Sequence, residues 1–388
     1  MLTTFLLLQT GMTVLASSSQ DTRLLQDAVC HDEAWIRKQE GEPAKVYWPR
    51  AGWEALLGDV DGDGFFDHLP GVDALIFWPD SVPGITPRDF LFSPSFQKHG
   101  WLDGDLLRFG PRGGVEVFVA EETLEDLLLP TSGGLDVDAG TMVGDELWLS
   151  FRDTLAGTVL GEIKDGDIIA WEIGTQFVRR VCTEAEVQAW VETATGSTAA
   201  IGDLTAMSWN SNDMELLFCV QSPSSRDGSV FGNLQGGRLI AGWQEADWSF
   251  QVSTELDALA LVPDGVPQPP ILHTPVPYLQ LGEEILHRVR FGTPNGFARG
   301  MVSLSSDMRT SPFGGLGLEF LDPTDALYQQ QWLSSTFHKT AFDSSGSLEY
   351  RWKMKKLPQG VQECDLWVQI LDETQLGLSN PVRLKVSR

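Results

Sequence analysis

Apolar and polar residues alternate along this chain in short runs, not in helical turns. Val72-Asp73-Ala74-Leu75 and Glu146-Leu147-Trp148-Leu149-Ser150-Phe151 are typical: rich in β-branched and aromatic residues, and bounded by Gly, Asp or Pro. That is the signature of strands separated by turns. The runs also recur in a fixed order. One unit opens with Asp136-Val137-Asp138-Ala139. It continues through the run 146–151 and Lys164-Asp165-Gly166-Asp167-Ile168-Ile169-Ala170-Trp171, and closes with the run 176–181 and a short acidic segment, 183–191. Upstream the same order runs through Asp89-Phe90-Leu91-Phe92-Ser93, Asp103-Gly104-Asp105-Leu106, the run 115–119 and the segment 121–129. Downstream it returns at 204–207, 215–219, 236–240 and 248–252, and Glu255-Leu256-Asp257-Ala258 opens a fourth copy that stops. The opening motif sits at Asp73, Asp138, Thr205 and Asp257, at successive spacings of 65, 67 and 52 residues.

Self-similarity on this scale means a repeat architecture. Each unit predicts about four strands, with the Asp-Ala strand of one unit pairing into the sheet of its neighbour. The expected fold class is all-β: a propeller-like repeat domain of three to four four-stranded units, then a C-terminal antiparallel β-sandwich. Closure would remove the open edges of the repeat, and the segment before Asp59 could supply the strands that complete the ring. A stack of β units without closure is the competing picture. The Asp103-Gly104-Asp105 and Asp165-Gly166-Asp167 pairs read as hairpin turns with positive φ at glycine. Residues 263–277 contain six prolines and read as a stiff linker. Beyond it, Leu348, Tyr350 and Trp352 alternate with Glu349, Arg351 and Lys353, the pattern of a half-buried strand in a sandwich spanning 278–388.

Charge narrows the partners. Lys and Arg total 27 against 54 Asp and Glu, a formal net charge of −27. Nucleic acid and anionic membranes both need cationic surface, so neither fits. No segment is long and apolar enough to insert in a membrane. The apolar run 5–16 ends in Val14-Leu15-Ala16, which fits a signal peptide over residues 1–16 cut before Ser17, although no Lys or Arg precedes it. The repeat domain is then 17–262, in a protein expected to be secreted or held at a bacterial cell surface, with an unidentified protein or glycan as partner. Cys30, Cys182, Cys219 and Cys364 are too scattered for structural zinc. Cys182 and Cys219 could be bridged in an exported protein, or remain buried thiols.

The sharpest local signal is Asp59-Val60-Asp61-Gly62-Asp63-Gly64-Phe65-Phe66-Asp67. Carboxylates at loop positions 1, 3, 5 and 9 can converge on one hard cation, with Gly64 permitting the turn and the Phe65 carbonyl adding a ligand. Ca²⁺ is the expected ion, held by Asp59, Asp61, Asp63, Phe65 and Asp67. A helix-loop-helix hand would need Glu at position 12, where Pro70 stands. The surviving Asp-x-Asp-x-Asp-Gly-x-x-Asp form resembles the calcium loops of FG-GAP and integrin-type propeller repeats, which implies a loop joining two strands. The repeated Asp-Val-Asp-Ala, Gly-Asp-Glu-Leu-Trp-Leu-Ser-Phe and Asp-Gly-Asp-Ile-Ile-Ala-Trp series is similar to degenerate repeats of large exported bacterial proteins. The end, Leu378-Ser379-Asn380-Pro381-Val382-Arg383-Leu384-Lys385-Val386, is similar to the closing strand of Ig-like appendage domains.

Chemistry beyond the metal is not announced. The six histidines form no two-histidine metal motif, and there is no Gly-x-Ser-x-Gly, phosphate loop or dinucleotide fingerprint. Most of the fourteen tryptophans, Trp148, Trp171 and Trp209 among them, fall where burial in a core is the ordinary role. The reading is an exported, calcium-stabilised protein acting in binding or cell-surface structure, with no catalytic residue assigned. A secreted polysaccharide hydrolase and a carbohydrate-binding module are the alternatives. Two or more buried, convergent acids with shifted pKa would favour hydrolysis, and exposed coplanar aromatic rings would favour sugar binding.

Overall fold

The computed structural model describes residues 13–19, 22–24, 29–30, 33–39, 44–57, 67–78, 89–109, 115–221, 228–240, 243–248, 250, 255–262, 271–273, 278–290, 292–310, 318–334, 339–354, 356–357, 361–379 and 381–388. It begins with β1 (Thr13–Ser18), β2 (Trp35–Gln39), β3 (Lys45–Trp48) and the helix α1 (Arg50–Leu57). The first repeat unit gives β4 (Val72–Phe77), β5 (Phe90–Pro94), β6 (Leu106–Phe109), β7 (Val115–Val119) and α2 (Glu121–Leu128). The second gives β8 (Val137–Val143), β9 (Glu146–Phe151), β10 (Ile168–Glu172), β11 (Val178–Cys182) and α3 (Glu184–Thr195). The third gives β12 (Ala206–Asn210), β13 (Glu215–Cys219), β14 (Phe231–Gly232) and β15 (Arg238–Leu239), and the truncated fourth gives β16 (Leu256–Val262).

Each unit pairs its own strands in sequence order as a four-stranded antiparallel sheet. The expectation that the Asp-Ala strand joins its neighbour's sheet is therefore corrected. β8 pairs with β9 of its own unit across the tight Gly144-Asp145 turn, where Gly144 takes a φ of 62°. A two-residue turn makes β9 the hairpin partner of β8. The fourth sheet is the exception, because β16 takes its partners from the other end of the chain in the order β16-β1-β2-β3. The segment before Asp59 thus supplies three strands to this sheet. Residues 13–18 are buried throughout and lie between β16 and β2, so the boundary expected after residue 16 falls inside β1.

The first strands of the four sheets pack side by side in the cyclic order β4, β8, β12, β16 and back to β4. Their outer neighbours complete a ladder, but the inward edge of each has no strand to pair with, which a sheet must manage. Hydroxyl side chains do so here. Thr141 Oγ accepts the Trp209 N–H at 2.9 Å, Ser208 Oγ accepts the Leu261 N–H at 2.8 Å, and the Thr205 hydroxyl donates to the Leu256 carbonyl at 2.8 Å. The approach is close enough to require small residues. Ala74, Ala139, Ala206 and Ala258 are all fully buried, and a Cβ on Gly140 would lie 2.5 Å from Ile76 Cδ1.

Four apolar cores fill the spaces between successive sheets. The one that joins the chain ends to the first unit is aromatic: Trp35, Trp48 and Trp53 against Phe90, Phe92 and Phe109. Trp53 stacks on Phe109 at 5.2 Å and its indole N–H donates to the Glu33 carbonyl at 2.7 Å. The other cores lie between units one and two, two and three, and three and the chain-end sheet.

Two acidic segments read from the sequence are helices. α3 opens with a capping box, Thr183 Oγ accepting the Glu186 N–H while the Glu186 carboxylate accepts the Thr183 N–H, and closes at Gly196 with φ of 70°. The third unit is offset from its expected alignment. Its third strand is Phe231–Gly232, the Arg238-Leu239 run takes fourth place, and Glu245–Trp248 forms a short 3-10 helix.

The C-terminal part has β17 (Ile271–His273), β18 (Tyr278–Gln280), β19 (Ile285–Arg290), β20 (Phe297–Ser303), β21 (Lys339–Ala341), β22 (Leu348–Trp352), β23 (Glu363–Asp372) and β24 (Val382–Ser387). One sheet runs β17-β19-β22 and a larger one β18-β24-β23-β20-β21, and both face the same core. β18 runs parallel to β24, the exception in an otherwise antiparallel pattern. Within the expected linker 263–277, residues 271–273 pair as β17, and the others lie outside the described residues.

Candidate functional site: an acidic pocket on the ring axis

The repeat motif converts directly into a site. In each Asp-Ala strand the aspartate is the extra residue of a β-bulge. Val72 pairs with Pro94 and Ala74 with Ser93, skipping Asp73. Val137 pairs with Phe151 and Ala139 with Ser150, skipping Asp138. Ser18 pairs with Leu256 and Ser17 with Ala258, skipping Asp257. A bulge re-aims its side chain out of the ladder. Here all three turn to one end of the ring axis, where they line a cavity of about 520 Å³ with Thr205, the fourth copy of the position.

A second set of equivalent positions, or tier, lies two residues earlier in each unit, at Gly71, Asp136, Asp203 and Glu255, of which Gly71, Asp203 and Glu255 line the cavity. Their carbonyls accept the backbone N–H of Ser95, Arg152, Gln221 and Ser19, at 3.4, 3.0, 2.8 and 3.2 Å. The four-fold plan is broken once in each tier, by Gly71 in unit one and Thr205 in unit three. Phe96, more than half exposed, also lines the pocket, beside Pro70 and Ser95. Among the described residues that line it, seven carboxylates, including Asp153 and Asp165, face one cation, Arg152.

Crowding shifts their proton affinities. Burial, then repulsion from Asp136, Asp203 and Asp103, holds the Asp73 carboxyl well above the ordinary range, with Arg152 opposing. Burial and repulsion from Asp203, Asp73 and Asp257 do the same to Asp138, whose carboxyl is hydrogen-bonded to that of Asp203. Burial pushes Asp203 up to about 7, against the opposing bonds from Asp138 and the Leu204 N–H. Burial and Asp103 push Asp136 up to about 7, although Arg152 Nη1 lies 3.6 Å from its Oδ2. Asp73 Oδ2 is buried without a hydrogen-bond partner. At neutral pH the cluster therefore holds protons unless a cation replaces them.

The Asp-Gly-Asp pairs have a different job. Asp105 accepts the Leu102 and Glu121 N–H groups at 3.0 and 2.8 Å, and Asp167 accepts those of Lys164 and Glu184 at 3.2 and 2.7 Å. Each second aspartate ties its turn to the first residue of the helix that follows the unit, α2 or α3. The preceding serines join in, Ser93 donating to the Asp103 carbonyl and Ser150 to those of Asp165 and Asp167. Neither Gly104 nor Gly166 has positive φ, which corrects that expectation. Glycine is needed for space: a Cβ on Gly104 would lie 2.2 Å from the Leu135 carbonyl oxygen, and one on Gly166 2.8 Å from Glu184 Cγ.

Of the expected calcium ligands, Asp59, Asp61, Asp63 and Phe65 lie outside the described residues. Asp67 is buried, with Oδ1 3.5 Å from His99 Nε2. Among the described residues no three His, Cys, Asp or Glu side chains converge closely enough to hold one metal ion. Cys182, Cys219 and Cys364 are free thiols, and burial pushes Cys182 up to about 12. Trp171 is buried, whereas Trp148 and Trp209 are half-buried and meet at 54°, not as a coplanar platform. The axial pocket was half legible in sequence. The repeat marked Asp73, Asp138 and Asp257 as equivalent, but it carried no sign that equivalent meant convergent.

No protein-family model matches this chain, and no curated protein matches it. Among solved structures it superposes on the extracellular domain named for a one component system of B. thetaiotaomicron, at 9% identity and a TM-score of 0.25, covering 96% of this chain and 57% of that one. The extracellular domain of a hybrid two component system from the same organism matches at 7% identity and a TM-score of 0.23, covering 96% and 55%. A fungal alcohol oxidase of the AA5 family matches at 9% identity and 0.17, covering 96% and 63%. The chain spans less than two thirds of each of these. At such scores the superpositions fix neither a shared fold nor a shared role. No helix among the described residues is long and apolar enough to cross a membrane.

Proposed function

We propose that this chain is an exported binding protein, built as a propeller-like ring of four β units carrying a C-terminal β-sandwich, and that its ligand is a cation taken at the axial pocket. One observation carries the reading. The position that opens every repeat copy reaches the same cavity, and in three copies it is an aspartate set in a bulge that aims it there. A repeat that served only packing would place apolar or hydrogen-bonded groups on its axis, not repelling carboxylates. Calcium at Asp59, Asp61, Asp63, Phe65 and Asp67 belongs to the same proposal as a separate, stabilising site leading into the first unit.

Hydrolysis is the second reading, favoured by the buried acids with raised pKa. The Asp138–Asp203 pair limits which hydrolysis. Glycoside-cleaving carboxyls stand about 5–9.5 Å apart to admit an anomeric carbon or a water. The Asp138–Asp203 pair, whose proton affinities are linked, instead resembles two carboxyls sharing one proton. The alternative of a sugar-binding module finds no coplanar aromatic platform among the described residues.

Isothermal titration of the purified chain with inorganic and organic cations tests the binding reading, with Asp203→Asn as the pocket variant and Asp61→Ala as the loop variant. A cation whose affinity falls at least tenfold in Asp203→Asn and not in Asp61→Ala supports it. Turnover of any substrate in a hydrolase panel, abolished by Asp138→Asn, would put the hydrolytic reading in its place.

A further inference from the structure

The chemistry of the pocket narrows the class of cation. We propose that the axial pocket takes an organic cation carrying two or more primary ammonium groups, such as an aliphatic diamine or paired lysine side chains. The proposal rests on the binding reading above and deepens it.

Three features separate this ligand from a metal ion. A hard metal ion needs several oxygens converging within about 2.6 Å of one point. Among the described residues no three carboxylates do so, even though seven line this cavity. Acids that share a pocket without sharing a point suit a ligand whose positive charges are themselves spaced. The volume agrees, since about 520 Å³ is the size of a small-molecule pocket and far exceeds one ion.

The second feature is the broken symmetry. Gly71 interrupts one set of equivalent positions and Thr205 the other, so the carboxylates that line the cavity, Asp203 and Glu255 in one set and Asp73, Asp138 and Asp257 in the other, do not surround it evenly. A single central ion gains nothing from that arrangement. A ligand with two separated ammonium groups can meet a carboxylate of each set. Phe96, exposed beside the Gly71 gap, gives the aliphatic part or the outer ammonium group an apolar, electron-rich face.

The third is Asp73 itself. Only 3% exposed, it aims into the cavity with Oδ2 unbonded. Arg152 shows what the pocket accepts: its guanidinium interacts with Asp136, Asp73, Asp138 and Asp203 at once, yet its side chain is 58% exposed and among the described residues its ion pair is to Asp136. An ammonium group donates three hydrogen bonds and is small enough to follow where the guanidinium stops.

Protons and ligand compete for the same oxygens. The groups acting on Asp73 are Asp103, Asp136, Asp138 and Asp203, with Arg152 opposing, and Asp257 and Glu255 line the same cavity. Titration calorimetry at pH 8 and pH 6 with putrescine, spermidine and a dilysine peptide, beside CaCl₂ and MgCl₂, tests the proposal on wild type, Asp73→Asn and Asp61→Ala. Asp73→Asn keeps the shape and removes one charge, and its circular dichroism checks that the fold survives. The expected result is saturable diamine or dilysine binding, weakened at least tenfold by Asp73→Asn and at least tenfold from pH 8 to pH 6, with Asp61→Ala without effect. Free diamines binding better than the peptide identifies a small-molecule ligand, and the reverse a lysine-bearing partner. Calcium or magnesium binding that is lost in Asp73→Asn, with diamines inert, overturns the ligand class and leaves the cation-binding reading standing. No cation responding to Asp73→Asn overturns both.

Discussion

Asp203→Asn is expected to make the protein more stable above neutral pH. The carboxyl of Asp203 is raised from 3.8 to about 7, so the folded state holds a proton that the unfolded state has already released between those values. Where the native state binds more protons, stability falls as pH rises. The penalty is absent below pH 4, grows through the window from 4 to 7, and is complete above 7. Three units at about 1.4 kcal/mol each set a ceiling of roughly 4 kcal/mol. The pair with Asp138 shares that penalty, and water relaxes part of it, so about 2 kcal/mol is the expected share of Asp203 at pH 8. Asparagine keeps an Oδ1 for the Leu204 N–H, which donates to Asp203 Oδ1 at 2.7 Å, and offers an N–H to the Asp138 carboxylate.

Urea denaturation of wild type and variant at pH 5 and pH 8, in chelator and without added amines, reads the effect. The other acidic residues change with pH in both proteins, so the informative quantity is the difference between the two. That difference should be small at pH 5 and favour the variant by about 2 kcal/mol at pH 8, a shift of roughly 2–4 °C in Tm. A difference that is flat across the two pH values, or a variant less stable at pH 8, would show that Asp203 is not held charged against its neighbours. A gain in stability on removing a functional group is the usual trade at binding sites.

The remaining expectations concern the scaffold. Trp35→Ala empties a fully buried position that packs on Trp53, Phe90 and Phe92, and should cost about 3–5 kcal/mol in chemical denaturation. Asp167→Ala frees the N–H groups of Lys164 and Glu184 and should cost about 1–2 kcal/mol, with no change in any calcium response. Gly104→Ala meets the Leu135 carbonyl and should cost more than Gly144→Ala, where φ is 62° and no atom lies within 4 Å of the new Cβ; calorimetry of the pair should put the latter near 1–2 kcal/mol. A chain beginning at Ser17 lacks four residues of β1 that pair with both β16 and β2, so it should melt well below one beginning at Thr13 in a thermal scan.

Why the fold was legible and its site was not comes down to which interactions are local. The strands at 146–151 and 168–172 follow from their own β-branched and aromatic residues, and the repeat assigned most of the rest by analogy. α3 could have been read from Thr183 and Glu186 at capping-box spacing and Gly196 beyond, but the repeat pattern marked it only as an acidic segment. What one strand cannot declare is its neighbour. β8 looks able to pair on either side until the Gly144-Asp145 turn commits it to β9, and only the assembled ring sets Thr141 against the Trp209 N–H. The bulges are the deeper case. Nothing in Val-Asp-Ala says that the aspartate will be skipped by the ladder. Yet the alanine after it is what lets the first strands approach, and that approach brings Asp73, Asp138 and Asp257 to one cavity. The same dipeptide thus closes the ring and charges its axis. A neutral residue at Asp138 would relieve repulsion without loosening the packing at Ala139. That the less strained sequence was not the one adopted in three of four copies is the argument that the axis is there to meet a positive charge.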